Sequence, residues 1–143
     1  MVGLALTLTV FGLLTAISLP RVSTILRHIR INRTTSTIAA DLESAFTLAA
    51  RQRKPVRISC DCSNRGYTLA DRTGGTIRLS RSLSSNDYGV GTLTFSNASV
   101  VANATVDVFP SGIASAPLTV TIASGGWSRQ VTLTTAGQVR ILP

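Results

Sequence analysis

The first nineteen residues, MVGLALTLTVFGLLTAISL, contain no charged side chain. Their polar members are Thr7, Thr9, Thr15 and Ser18, whose hydroxyls can bond a carbonyl one helical turn back. At 1.5 Å per residue a helix of this length reaches about 29 Å, close to the ~30 Å hydrocarbon core of a bilayer. Residues 1–19 are therefore expected to form a membrane-spanning half-helix. A cleaved signal peptide is the competing reading, with Ala16-Ile17-Ser18 as an imperfect cleavage site and Leu19 the new first residue. A signal needs a basic stretch before its apolar run, and none precedes this one. Arginines follow the run, so charge alone would leave the rest of the chain in the cytoplasm.

Pro20 sits at the join. It removes one helical hydrogen bond and crowds a carbonyl, which predicts a kink. Beyond it, Val22, Ile25, Leu26 and Ile29 recur at amphipathic spacing, and so do Ile38, Leu42, Ala45, Phe46 and Ala49. Arg51, Arg53 and Lys54 suit the negative end of a helix dipole, and Pro55 stops the helix. Residues 20–54 thus read as the amphipathic half of one long helix. A small head can cover only part of such a rod, so its first half needs lipid or other helices.

From Pro55 the period changes to two. PVRISCDC, YTLAD, TIRLSRS, GTLTFS, TVDVF, LTVTIAS, RQVTLTT and GQVRI read as strands, and SGGW as a hairpin turn. Residues 55–143 are expected to form a β-rich head on the helix, an α+β fold. The net charge of +8 is uneven. Residues 21–57 carry eight cations and two acids, whereas residues 58–143 carry six arginines and four aspartates. The basic helical part suits anionic headgroups, nucleic acid or an acidic partner, or is simply a solvated face.

Catalytic constellations are missing from the sequence. His28 is the only histidine and falls far along the helix, leaving no Ser/His or Cys/His pair. It reads as a surface or headgroup-level residue. The TGG and SGG stretches are turns rather than phosphate loops. No metal, cofactor or small-molecule substrate is expected. Cys60 and Cys62 share one face of an extended strand, where residues i and i+2 stand too far apart for a disulfide. Two buried free thiols are the favoured reading; a bend in an oxidising compartment would instead allow a local disulfide.

The order SLPRVSTIL, IAADLESAFTLAARQRKPVRIS, VDVFPSGIAS and VTLTTAGQVRI resembles the type IV pilin superfamily, most closely its GspH/FimT-like minor pseudopilins. The resemblance covers nearly the whole chain. It implies a pilin-like fold, no catalytic activity, an inner-membrane helix with the head in the periplasm, and assembly with other pilins or pseudopilins through the helix. Leader charge in that family would override the orientation that the arginines alone suggest. The chain departs from the family at its start. Met1-Val2-Gly3 stands where precursors carry a basic leader and Gly-Phe-Thr-Leu-x-Glu, so neither the processing site nor the glutamate maps onto a residue here. FimT-like members are associated with DNA uptake through a Gly-Arg-x-Arg tail. Gly137 and Arg140 match that signature and Gln138 does not; Arg129 is a further candidate cation for DNA.

Overall fold

A computed structural model describes residues 2–143, the side chains of residues 14–20 excepted. Helix α1, Val2–Gln52, is assigned as one element of 51 residues, about 77 Å at 1.5 Å per residue. The kink expected at Pro20 falls among residues 14–20 and lies outside the described side chains. So does part of the 1–19 stretch expected to span a membrane. Among the described residues, no helix is long and apolar enough to cross a membrane.

The helix stops at Gln52 rather than at the expected Lys54. Lys54 precedes Pro55, whose ring disfavours a helical residue before it. Arg53 turns the chain out at φ 52°, its N–H bonding Ala50 O at 3.4 Å. This left-handed exit is the position glycine usually fills.

The head comprises two four-stranded antiparallel sheets. One has the order β3-β2-β1-β5, from Val56–Asp61 (β1), Gly66–Asp71 (β2), Ile77–Ser82 (β3) and Val106–Val108 (β5). The other has the order β4-β6-β7-β8, from Thr92–Ser96 (β4), Leu118–Ser124 (β6), Trp127–Leu133 (β7) and Val139–Leu142 (β8). The period-two pattern locates the strands, but it does not say which strands pair, so the division into two sheets is new. At the β6–β7 tip, Gly125 and Gly126 both take positive φ (55° and 87°). That is the type I′ geometry suited to a two-residue hairpin.

The helix packs on both sheets. Ile38, Leu42, Ala45 and Ala49 are buried with Val56 and Ile58, Phe95, Val120 and Ile122, and Val131 and Leu133. Small residues at Ala45 and Ala49 let the helix approach closely, and β-branched residues fill the pleated faces.

One polar contact fixes the helix against the first sheet. Asp41, 8% exposed, accepts the Tyr67 hydroxyl at 2.5 Å and a two-pronged bond from Arg81, Nε at 2.5 Å and Nη2 at 3.0 Å. Burial, then the bond to Asp41, drives the Tyr67 pKa far up, so its hydroxyl stays a donor. The same carboxylate raises the Arg81 pKa. Three elements, α1, β2 and β3, thus meet at one charge.

Cys60 and Cys62 form a disulfide, with Cα atoms 5.1 Å apart. This corrects the favoured reading of free thiols. Two residues along a regular strand are about 6.6 Å apart, but β1 ends at Asp61 (φ −101°, ψ 69°), and Cys62 opens the short 3-10 turn Cys62–Asn64. The bend brings the thiols together.

Asp41→Ala should cost about 2–4 kcal/mol in urea or thermal unfolding, because Tyr67 and Arg81 lose their shared acceptor. The lower end allows for Arg81, whose side chain keeps 27% of its surface in water. Tyr67→Phe, which removes one donor and leaves the ion pair, should cost about 1 kcal/mol.

Candidate functional site

Two surfaces carry the sequence-predicted functional residues: the closing strands β7 and β8, and the exposed part of α1.

Register separates the closing-strand candidates. Thr132 pairs with Arg140, and Val131 with Ile141. Arg140 therefore lies on the outer face with Gln130 and Thr132, whereas Arg129 shares the core-side face with Val131 and Leu133. The two cations point to opposite sides of one sheet. Arg140 is exposed, and its Nη2 reaches Gln138 Oε1 at 3.4 Å. Among the strand residues of that outer face it is the only cation.

Gly137 has a packing role. It takes φ +82°, and a Cβ there would lie 2.6 Å from Gly112 O and 3.2 Å from Phe46 Cε1. Its N–H bonds Thr134 O at 3.0 Å. Next to it, the Ala114 N–H bonds Thr135 O at 2.9 Å. The β7–β8 turn is thereby seated on the Phe109–Gly112 loop and on the helix. The two late motifs, VDVFPSGIAS and VTLTTAGQVRI, are one contact in space.

The other basic residues of the head are largely paired internally. Arg78 grips Asp71 with bonds of 3.1 and 2.6 Å, which holds the Asp71 pKa below its ordinary value. Asp107 takes Arg57 at 2.8 Å and Arg72 at 3.2 Å. With Asp41 on Arg81, three of the six acids are committed to arginines.

The exposed helix is different. Val22, Ile25, Leu26 and Ile29 are between 46% and 59% exposed. At about 100° per residue they occupy an arc roughly opposite to Ile31, Ile38, Leu42, Ala45 and Ala49, which face the head. An apolar stripe thus lies away from the buried face of α1, with Ile25 and Ile29 also bordering cavities beside Trp127 and Tyr88. Further toward the N-terminus, Leu4, Leu6, Leu8, Phe11 and Leu13 are exposed as well. Thr7 bonds Gly3 O and Leu4 O, and Thr9 bonds Ala5 O and Leu6 O, all within 3.1 Å. Their hydroxyls are satisfied inside the helix, leaving a surface that tolerates an apolar medium.

Arg21, Arg27, Arg30 and Arg33 accompany the stripe. Arg30 and Arg33 help line a groove of about 600 Å³ with Ile29, Thr34, Thr37 and Tyr88. The groove is closed at its base by Thr34, whose hydroxyl bonds Tyr88 O at 3.1 Å. Sequence reasoning singled out none of Asp41, Tyr67 and Arg81. The one available signal was a carboxylate on the flank of the buried face of α1; its partners lie 26 and 40 residues away.

A long helix with an uncovered apolar half and a two-sheet head define a minor pilin-like subunit. Residues 34–137, well over half of the chain, match the family described as Type II transport protein GspH. The chain belongs to the GspH family. The crystal structure of the type IV minor pilin FimU from Pseudomonas aeruginosa is similar in fold, with TM-score 0.61 and 18% identity over 81% of this chain and 90% of that one. The minor pseudopilin EpsH from the type II secretion system of Vibrio cholerae gives TM-score 0.62 and 17% identity over 79% and 93%. No curated protein sequence matches the chain significantly.

Gly137→Ala should destabilise the head by about 1–3 kcal/mol, from left-handed strain and the clash with Gly112 O. Arg140→Ala, on the solvent face of the same strand pair, should change stability by no more than about 0.5 kcal/mol. Paired denaturant titrations check both.

Proposed function

We propose that this chain is a minor pseudopilin of a type II secretion pseudopilus or a related type IV pilus, and that it acts by assembly rather than by catalysis. The N-terminal half of α1, including residues 1–19, rests in the inner membrane with the head in the periplasm. On assembly it leaves lipid for the apolar centre of a filament, where it packs against other pilins or pseudopilins. Pro20 kinks the rod between its lipid-held and head-held halves.

The observation that carries this reading is the stripe Val22, Ile25, Leu26 and Ile29. It is exposed, apolar and opposite the buried face of α1, and residues 2–13 carry further exposed apolar side chains. No soluble monomer gains from leaving so long a surface in water. Gly3, Ala5, Thr9 and Gly12 supply the small and hydroxyl-bearing positions that close helix packing favours in an apolar medium.

The rival reading, DNA uptake through Gly137, Arg140 and Arg129, has less support. Phosphate binding at physiological salt needs several cations acting together, and Arg129 and Arg140 lie on opposite faces.

Val22→Asp combined with Leu26→Asp should leave the unfolding midpoint of the head nearly unchanged, within about 0.5 kcal/mol, because both side chains are exposed on the arc opposite the buried face. The same pair should abolish co-purification with the other pseudopilins of its host and incorporation into filaments. Normal incorporation would contradict the proposed role of the stripe.

A further inference from the structure

The β6–β7 hairpin tip meets α1 at residues 24–28. There Trp127, 45% exposed, stacks edge-on against His28 with ring centroids 5.0 Å apart. A cavity of about 220 Å³ opens between this pair, Thr24 and Ile25. Arg27 lies over the turn itself, so that a Cβ on Gly125 would be 2.9 Å from its Nη1. Arg30 packs its stem against Gly89, where a Cβ would be 3.3 Å away. Arg129 shares Trp127's face of β7, two residues along. The surface around the tip therefore combines an exposed indole, the apolar Ile25 and a set of guanidinium groups.

Charge makes the surface one-sided. The first acidic residue of the chain is Asp41, and Arg81 already holds it. Arg21, Arg27, Arg30 and Arg33 precede it with no carboxylate among them. Of the three acids outside the internal ion pairs, Asp87 lines the groove beside Arg30 and Arg33 without forming a salt bridge to either among the described residues. The same surface of a second copy would carry the same positive sign and be repelled in a symmetric pairing.

We propose that the β6–β7 hairpin tip, together with Arg21, Arg27 and Arg30 of α1, is a membrane-surface contact that binds anionic phospholipid headgroups before the subunit assembles. This rests on the reading of α1 as membrane-held. Arg27 is seven residues beyond Pro20, about 10 Å along the axis at 1.5 Å per residue. Headgroup layers add roughly 5–8 Å to each side of the hydrocarbon core, within reach of an arginine side chain. The Trp127 indole, with an apolar body and one N–H, belongs at that boundary. The guanidinium groups meet phosphates while Val22, about 3 Å beyond Pro20 along the axis, meets the upper acyl chains. Nucleic acid fits less well: it offers nothing to cover the apolar stripe, and stacking platforms for single strands use several aromatics where this surface has one exposed indole. The contact would fix the tilt of the head on the bilayer and would be given up when the helix is extracted.

Trp127 is the only tryptophan, so its fluorescence reports on this contact alone. The full chain is reconstituted into vesicles of phosphatidylcholine, or of phosphatidylcholine mixed with phosphatidylglycerol. The proposal expects flotation with both vesicles, but a blue shift of Trp127 emission and protection from acrylamide only with the anionic ones. Both effects should vanish in about 1 M salt, where the Debye length falls to about 3 Å. Arg27→Gln with Arg30→Gln should lose the shift, Arg21→Gln should weaken it, and Arg140→Gln, on the outer face of the second sheet, should leave it intact. Arg21 guards against a folding artefact, because it lies beyond the contact of α1 with the head. Flotation with identical Trp127 spectra in both vesicles overturns the headgroup contact and leaves the membrane-held helix standing. Failure to float with either overturns the membrane-held reading itself. Quenching by a single-stranded oligonucleotide, with no response to anionic vesicles, overturns the proposal in favour of nucleic acid.

Discussion

The structure depends on a mismatch of lengths. Helix α1 has 51 residues, and the head buries its apolar face only from Ile31 to Ala49. An isolated helix in water gains little from its own hydrogen bonds, and most helical stability in proteins comes from packing an apolar face. The covered half therefore has its partner within the chain, and the uncovered half must find one outside. Everything proposed about assembly follows from that asymmetry.

The covered half is held by two different kinds of contact. Ile38, Leu42, Ala45 and Ala49 supply non-directional burial, which would tolerate some sliding or rotation of the rod. The bonds from Tyr67 and Arg81 to Asp41 are directional and fix both. Gly137 fixes a second point, where the β7–β8 turn closes on Phe46 and Gly112. These contacts set which side of the helix faces the head, and hence which side presents Val22, Ile25, Leu26 and Ile29. The orientation of the outward stripe is therefore encoded in contacts between the helix and the head, not in the stripe itself.

The strands and the amphipathic half-helix were legible because periodicity reports burial directly, as Val56 and Ile58 against Arg57 illustrate. The family was legible from the order of weak motifs, and the contact of Gly137 with Gly112 gives that order a physical meaning. The pairing of strands was not legible, since period two is the same in either sheet. Asp41 was invisible as a pin because its partners are distant in sequence. The Cys60–Cys62 bridge was legible only as the alternative to free thiols, because regular strand spacing holds just as far as the bend at Asp61. The DNA candidates looked like a cluster in sequence, but the register of β7 against β8 put Arg129 and Arg140 on opposite faces.

The central claim is that α1 is one helix in geometry and two in energetics. Hydrogen exchange on the full chain in mild detergent, with and without Phe95→Ala to weaken the head core, tests it most directly. The account predicts that amides of residues 31–49 lose protection together with the strands in the variant, while those of residues 2–13 exchange at an unchanged rate. Loss of protection along the whole helix in step with the head would contradict it.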